Sequence, residues 1–225
     1  MSHQLALDWP NQTAQTREDF FISPANALAL AMIENCTLWP QSKMILLGPQ
    51  GSGKSHLGAI WAKQADAEII SAEELNFNKV ASLTRTKSIL VEDADRLAQY
   101  PQAEEAFFHL HNALQTAGNY LLITAKTPPR DWGVTLPDLL SRMSALATTK
   151  LEAPDDILLQ ALLVKMFSDR QIDVTTPLIS YLVTRMERSC ASACELVERL
   201  DRAALAASCP ITRRFANKIL GKPQI

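Results

Sequence analysis

The sequence predicts an α/β fold: a parallel sheet with helices on both faces, followed by a small all-helical region. Three observations carry this expectation. Short apolar runs at Met44 to Leu47, Ser88 to Val91 and Tyr120 to Thr124 read as buried strands. Segments with helical spacing lie between or after them, at Lys54 to Ala65, Ala103 to Ala117 and Leu136 to Met143. Beyond Pro154 only helical spacing remains. Strands that alternate with helices require parallel crossovers, and those bury both faces of the sheet.

Taken in order, the chain begins with a polar stretch through about Thr16 that has no clear period. From Phe20 the pattern turns apolar, and Ser23-Pro24 is a helix start leading into Ala25 to Glu34. Weaker strand signals sit at Glu68 to Ser71 and Ala145 to Leu151. Four helices are expected after Pro154: Asp155 to Arg170, Pro177 to Glu187, Cys190 to Ala207, and Thr212 to Leu220 with Gly221 and Pro223 as stop signals. The expected division is a tail over 1–16, a nucleotide-binding core over 17–153 and a helical lid over 154–225.

Composition narrows the class. The 225 residues are 47% hydrophobic and 20% charged, ordinary for a chain with a packed core, and the net charge is −2. That balance argues against bulk adhesion to nucleic acid or to an anionic membrane. No signal architecture and no membrane-length apolar run is present, so a cytoplasmic, non-membrane protein is expected. Cys36, Cys190, Cys194 and Cys209 form no paired framework and read as reduced thiols. Cys190 and Cys194 are spaced to share a helix face. His109 and His111, two apart on a helix, make a poor metal pair.

The sharpest motif is Gly48-Pro49-Gln50-Gly51-Ser52-Gly53-Lys54-Ser55, with His56 following. It has the spacing of a phosphate-binding loop between an apolar strand and a helix. Its glycines let the backbone approach a phosphate, Lys54 supplies a charge to the β- and γ-phosphates, and Ser55 offers a hydroxyl to Mg²⁺. The helix that begins at Lys54 aims its positive end at the same anion. A Gly-rich turn without a ligand is the bland alternative. A second element is expected at the end of the strand Ile89-Leu90-Val91, where Glu92 would stand on the magnesium side and Asp93 at the water-activating position. Strand-end acids that are merely solvated are the alternative there. The basic face of Arg213, Arg214, Lys218 and Lys222 reads first as a solvated helix surface.

These motifs and their neighbours resemble the AAA+ module of the bacterial replication initiator DnaA. The similarity lies in Lys54-Ser55-His56-Leu57, Glu92-Asp93, Phe21-Ile22-Ser23-Pro24-Ala25-Asn26, Leu122 through Arg130, and Leu139-Leu140-Ser141-Arg142-Met143. Together they run from about Asp19 to Arg202. The sequence shows no DNA-binding domain after the lid-like helices, and Gln4-Leu5-Ala6-Leu7-Asp8-Trp9 looks like a sliding-clamp-binding peptide. In that combination the chain resembles the Hda/HdaA family of DnaA-related regulators of replication initiation.

The resemblance implies an AAA+ P-loop core with a helical lid, binding ADP or ATP with Mg²⁺. It implies that Gln4, Leu5, Leu7 and Trp9 engage the β sliding clamp of DNA polymerase III, and that Arg142 is an arginine finger acting in trans on DnaA. Asp93 and Thr124 would be the remaining catalytic-position residues, with Thr124 the polar sensor. A surface ion pair with Asp138 is the alternative use of Arg142. Self-association through the AAA+ interface is a further implication. Two departures from the DnaA pattern point to weak or absent intrinsic ATPase activity. Cys194 stands where the family carries a lid arginine, so that Arg188 or Arg199 would have to substitute, and Lys126 stands where DnaA carries an acid. Two other functions remain open on sequence: an autonomous DnaA-like ATPase or loader, and a nucleotide-dependent clamp scaffold.

Overall fold

The computed structural model of the protein describes residues 16–221. Five strands form one sheet in the order β2-β3-β4-β1-β5, with every neighbouring pair parallel. They are β1 (Lys43–Leu47), β2 (Glu68–Ser71), β3 (Ser88–Glu92), β4 (Tyr120–Ala125) and β5 (Ala147–Lys150). All five expected strands are present, and β2 carries the bounds read from the sequence. The central strands β1, β3 and β4 are buried almost throughout, because helices cover both faces.

Alternation along the strands divides the core in two. Ile45, Leu47, Ile89, Val91, Leu121 and Ile123 join one cluster with α3 (Phe77–Leu83), α4 (Ala103–Ala117) and α5 (Pro137–Ser144). Met44, Leu46, Leu90 and Leu122 join the other with α1 (Ala27–Glu34) and α2 (Lys54–Ala65). The second cluster contains Trp61 of α2, fully buried and stacked on Trp39 at 5.4 Å between ring centroids. An AAA+-like αβα core is the result.

Four more helices follow: α6 (Asp156–Asp169), α7 (Thr176–Val183), α8 (Cys190–Ala207) and α9 (Arg213–Leu220). They pack on one another through a third cluster that includes Leu159, Leu163, Phe167, Leu182, Val197 and Leu200. Three of their starts are set by side-chain caps, whereas α7 begins on Thr176-Pro177 without one. Asp155, Ser189 and Thr212 accept from the backbone N–H groups of Leu158, Ser192 and Phe215.

Three readings need correction. Helix α3 has no counterpart among the sequence-based elements: it is short and mostly exposed, so its period is faint, and its clearest signal is the Asn76 cap on the Lys79 amide. Helix α1 starts at Ala27 rather than Ala25, because Asn26 ties down the preceding turn by accepting from the Ser23 amide and donating to the Phe21 carbonyl. Helix α7 ends at Val183 rather than near Glu187. Of the expected tail over 1–16 only Thr16 is among the described residues; Gln4, Leu5, Leu7 and Trp9 lie outside them, as does Lys222 of the expected basic face. Among the described residues no helix is long and apolar enough to cross a membrane.

His109 and His111 point apart, as their spacing requires: His109 is exposed and His111 buried. Neither ring nitrogen of His111 has a partner among the described residues. Burial, with the Lys43 and Arg142 charges, pushes its pKa down to about 4 from an ordinary 6.5. The folded chain therefore keeps His111 neutral while the unfolded chain protonates it. Stability is lost as pH falls from the unfolded value towards about 4. We expect this group to cost about 2 kcal/mol between pH 7.5 and pH 5. Urea denaturation of His111→Leu against wild type should show the variant's relative stability improving by that order at pH 5; a pH-independent difference would disprove the assignment.

Candidate functional site

The site is built at the carboxyl ends of the parallel strands, where helix N-termini and strand-end loops converge. The loop Gly48 to Ser55 leaves the end of β1 and runs directly into α2. Two of its glycines are dictated by close approach. A Cβ on Gly48 would stand 2.8 Å from the Leu151 carbonyl oxygen and 2.7 Å from Ser52 Oγ. Gly51 has φ of +72°, and a Cβ there would lie 2.6 Å from Ser189 Cβ.

Around this loop lies a cavity of about 660 Å³. Leu158, Leu162 and Met166 from α6 line it with Phe20 and Phe21, alongside the charged Asp19, Lys165 and Asp169. Gln50 through His56, Asp93 and Lys126 also line it. Lys54 is buried, and its Nζ donates to the carbonyls of Gly48 at 2.7 Å and Pro49 at 2.8 Å. Burial pushes its pKa down, as does the nearby Lys126 charge, while Asp93, Asp95 and Glu92 oppose the shift.

The donor set fits a nucleotide. The cavity brings apolar side chains together with a loop of backbone amides and a buried ammonium that an anion would stabilise. Among the described residues Ser52 Oγ, buried in the loop, has no hydrogen-bond partner, an open polar valence on a residue that lines the cavity. Mg²⁺ would find the Ser55 hydroxyl and the Asp93 carboxylate on the cavity wall.

The strand-end residues stand as follows. Asp93 lines the cavity from a left-handed backbone conformation (φ 54°), whereas Glu92 is not among the lining residues. The first acid ends β3 in the ladder opposite Ser71; the second opens the turn that follows. Thr124 is buried and is not among the lining residues; its Oγ1 accepts from the Asp93 amide at 3.2 Å, which ties the end of β4 to the turn after β3.

Arg142 is an exposed position of α5 that does not line this cavity, with its guanidinium 5.4 Å from the Phe108 ring centroid. Among the described residues it has no carboxylate partner, so the alternative pairing with Asp138 does not form. Arg188 pairs with Asp156 at 2.8 Å, and Arg199 donates to the Ile219 carbonyl. Neither replaces the charge missing at Cys194, which lines the cavity with Cys190 as their shared helix face requires. Burial pushes the Cys190 thiol up to about 11, which keeps it protonated at neutral pH.

Sequence reasoning missed two contacts that close the cavity. The Cys190 amide, at the start of α8, donates to the Gly51 carbonyl at 2.7 Å. Lys165 of α6 bridges Asp19 and Asp169, each at 3.0 Å, and so ties the N-terminal arm to the C-terminal helices. The Thr16 hydroxyl and Lys165 hold the Asp19 carboxyl below its ordinary range. His56 completes the arm's seat, with Nε2 3.1 Å from the Thr16 carbonyl oxygen and its ring edge-on to Phe20. Only a pairing of residues far apart in sequence could have announced these.

No protein-family model matches the chain. An uncharacterised protein of Haemophilus influenzae is 26% identical over 229 residues, covering 98% of this chain and 99% of its own. Among solved structures, domain III of the Thermotoga maritima replication initiation protein DnaA superposes with a TM-score of 0.77 at 18% identity, covering 94% of this chain and 98% of that one. AMPPCP-bound DnaA from Aquifex aeolicus gives 0.72 at 16% identity, over 86% and 67% of the two chains. The RuvB Holliday junction branch migration motor of Thermotoga maritima gives 0.71 at 17% identity, over 92% and 71%. The fold is an AAA+ P-loop fold, related to DnaA domain III and to RuvB.

The Gly51–Ser189 approach yields a test. Gly51→Ala should lose about 1–2 kcal/mol in urea denaturation, from a strained positive φ and a forced gap beneath α8. Adding Ser189→Gly should recover part of that loss. Equal stability of Gly51→Ala and wild type would show that α8 does not rest on the loop.

Proposed function

We propose that this chain is a DnaA-related regulatory AAA+ protein that binds ADP or ATP with Mg²⁺ and stimulates ATP hydrolysis by DnaA, restraining replication initiation. Its parts are a clamp-binding tail over 1–16, a nucleotide-binding core over 17–153 and a helical lid over 154–225. Gln4, Leu5, Leu7 and Trp9 would hold the sliding clamp, bringing the AAA+ surface to DnaA on DNA. Self-association would use the same AAA+ surface.

The observation that carries this reading is the separation of Arg142 from the chain's own phosphate loop. Arg142 is exposed on α5, rests on Phe108 and is absent from the wall of the cavity lined by Lys54 and Asp93. A guanidinium so placed is available to a second AAA+ module, where it would stabilise charge developing on a transferred phosphoryl group. Meanwhile Gly48 to Ser55 holds a nucleotide that shapes the protein. A second reading, an autonomous ATPase, draws support from Asp93, which faces the same cavity as Lys54 and Ser55.

Reconstitution separates the two. ATP turnover by purified DnaA, with clamp-loaded DNA, should rise on adding this protein and fall by roughly a thousand-fold or more of the stimulated excess with Arg142→Ala. Unchanged turnover, or full stimulation by Arg142→Ala, would refute the regulatory reading. Turnover by this protein alone, abolished by Asp93→Asn, would establish the second. Removing residues 1–9 should eliminate clamp pull-down, and persistence of binding would displace the tail as anchor.

A further inference from the structure

Helix α8 brings two cysteines to the wall of the cavity. Cys190 is its first residue and Cys194 lies four further on, so one helix face carries both. Both are free thiols, and each is partly exposed. The start of the helix is fixed against the phosphate loop. The Cys190 amide donates to the Gly51 carbonyl, and a Cβ on Gly51 would lie 3.4 Å from Ala191 Cβ. The same cavity is lined by Ser52, whose buried hydroxyl has no hydrogen-bond partner among the described residues. Cys36 and Cys209 do not line it.

The two sulfurs differ in reactivity. Burial holds the Cys190 thiol protonated, with a pKa of about 11, and the thiolate rather than the thiol is the nucleophile. Cys194 is therefore the reactive member of the pair. Nor can the two join each other. Side chains four apart on a helix hold their Cβ atoms about 5–6 Å apart, whereas a disulfide needs about 3.5–4.5 Å. Closing that gap would unwind the first turns of α8, which Ser189 caps and Gly51 anchors. An adduct formed at Cys194 thus has no thiol on its own helix able to displace it.

We propose that Cys194 is a reversible modification site for low-molecular-weight disulfides, whose adduct and a nucleotide exclude each other from the cavity. The Cys194 sulfur attacks one sulfur of the reagent, the reagent's S–S bond breaks, and a new S–S bond joins that half to the protein. The other half leaves as a thiol, carrying the proton that Cys194 gives up. Cys194 is oxidised and the leaving half is reduced, so the exchange needs no further reactant. A cavity of about 660 Å³ suits one ligand of nucleotide size, and an adduct tethered to its wall takes that room. This rests on the nucleotide-binding reading above and adds a control to it: thiol oxidation empties the site and reduction reopens it.

The test applies glutathione disulfide to wild type, Cys194→Ser and Cys190→Ser, followed by peptide mapping and by equilibrium binding of ADP and ATP with Mg²⁺. In wild type the reagent should place glutathione on Cys194 and weaken both nucleotides about ten-fold or more, and dithiothreitol should restore binding. Saturating ADP should slow labelling of Cys194 about ten-fold and leave labelling of Cys36 and Cys209 unchanged. Treated Cys194→Ser should bind nucleotide as its own untreated form does, whereas treated Cys190→Ser should still lose binding. An unlabelled Cys194, a labelled Cys194 that binds nucleotide normally, or labelling indifferent to ADP would overturn the proposal. So would a disulfide between Cys190 and Cys194. Failure of untreated wild type to bind either nucleotide would instead sink the reading on which the proposal rests.

Discussion

Everything at the site depends on where the carboxyl end of β1 is held. The strand lies between β4 and β5 and is buried along its whole length. Parallel pairing brings the ends of its neighbours to the same edge. The loop that leaves β1 therefore opens beside Ala125 of β4 and Leu151 beyond β5, and its geometry is squeezed between them. The Gly48 amide donates to the Ala125 carbonyl, and the Leu151 amide donates to the Leu47 carbonyl. A residue with a Cβ at Gly48 would collide with the Leu151 backbone. The phosphate loop is thus a consequence of sheet order as much as of glycine content.

From that edge the cavity acquires its polarity. Strand-end turns contribute charge, because chain leaving a parallel sheet is exposed and can carry Asp93, Asp95 and Lys126. Helix α6 contributes apolar surface, because its inner positions already pack the helical cluster and neighbouring ones continue that stripe onto the cavity. Among the described residues, the contacts that join the two regions include the backbone hydrogen bond from Cys190 to Gly51 and the ion-paired Lys165. Both contacts touch elements that would surround a nucleotide. The N-terminal arm joins the same wall through Asp19 and His56.

Charge is placed with similar economy. The wall nearest the phosphate loop has cations from α2 and from the turn after β4, while α8 presents two thiols. Arg142 sits on another face altogether, stacked on Phe108, whose own helix also carries the buried His111. The exposed guanidinium and the buried ammonium of Lys54 thus lie on different elements.

Much of this was legible in the linear sequence. The strand and helix periods are properties of the local backbone, so β2, α2, α4 and α8 carry the bounds that their apolar spacing and end signals imply. The loop Gly48 to Ser55 was equally plain, because its chemistry is contained in eight successive residues. Helix α3 was invisible because it buries little. The sequence could name Glu92, Asp93, Thr124 and Lys126 as polar groups near strand ends, but not which of them faces the cavity. Only the fold decided that, by spending Thr124 on the Asp93 amide, leaving Glu92 off the cavity wall and placing Lys126 on it with Lys54, without a carboxylate partner among the described residues. Local periodicity determines what an element is; the direction of a side chain at its end depends on hydrogen bonds to residues some thirty positions away, and those exist only once the sheet has assembled.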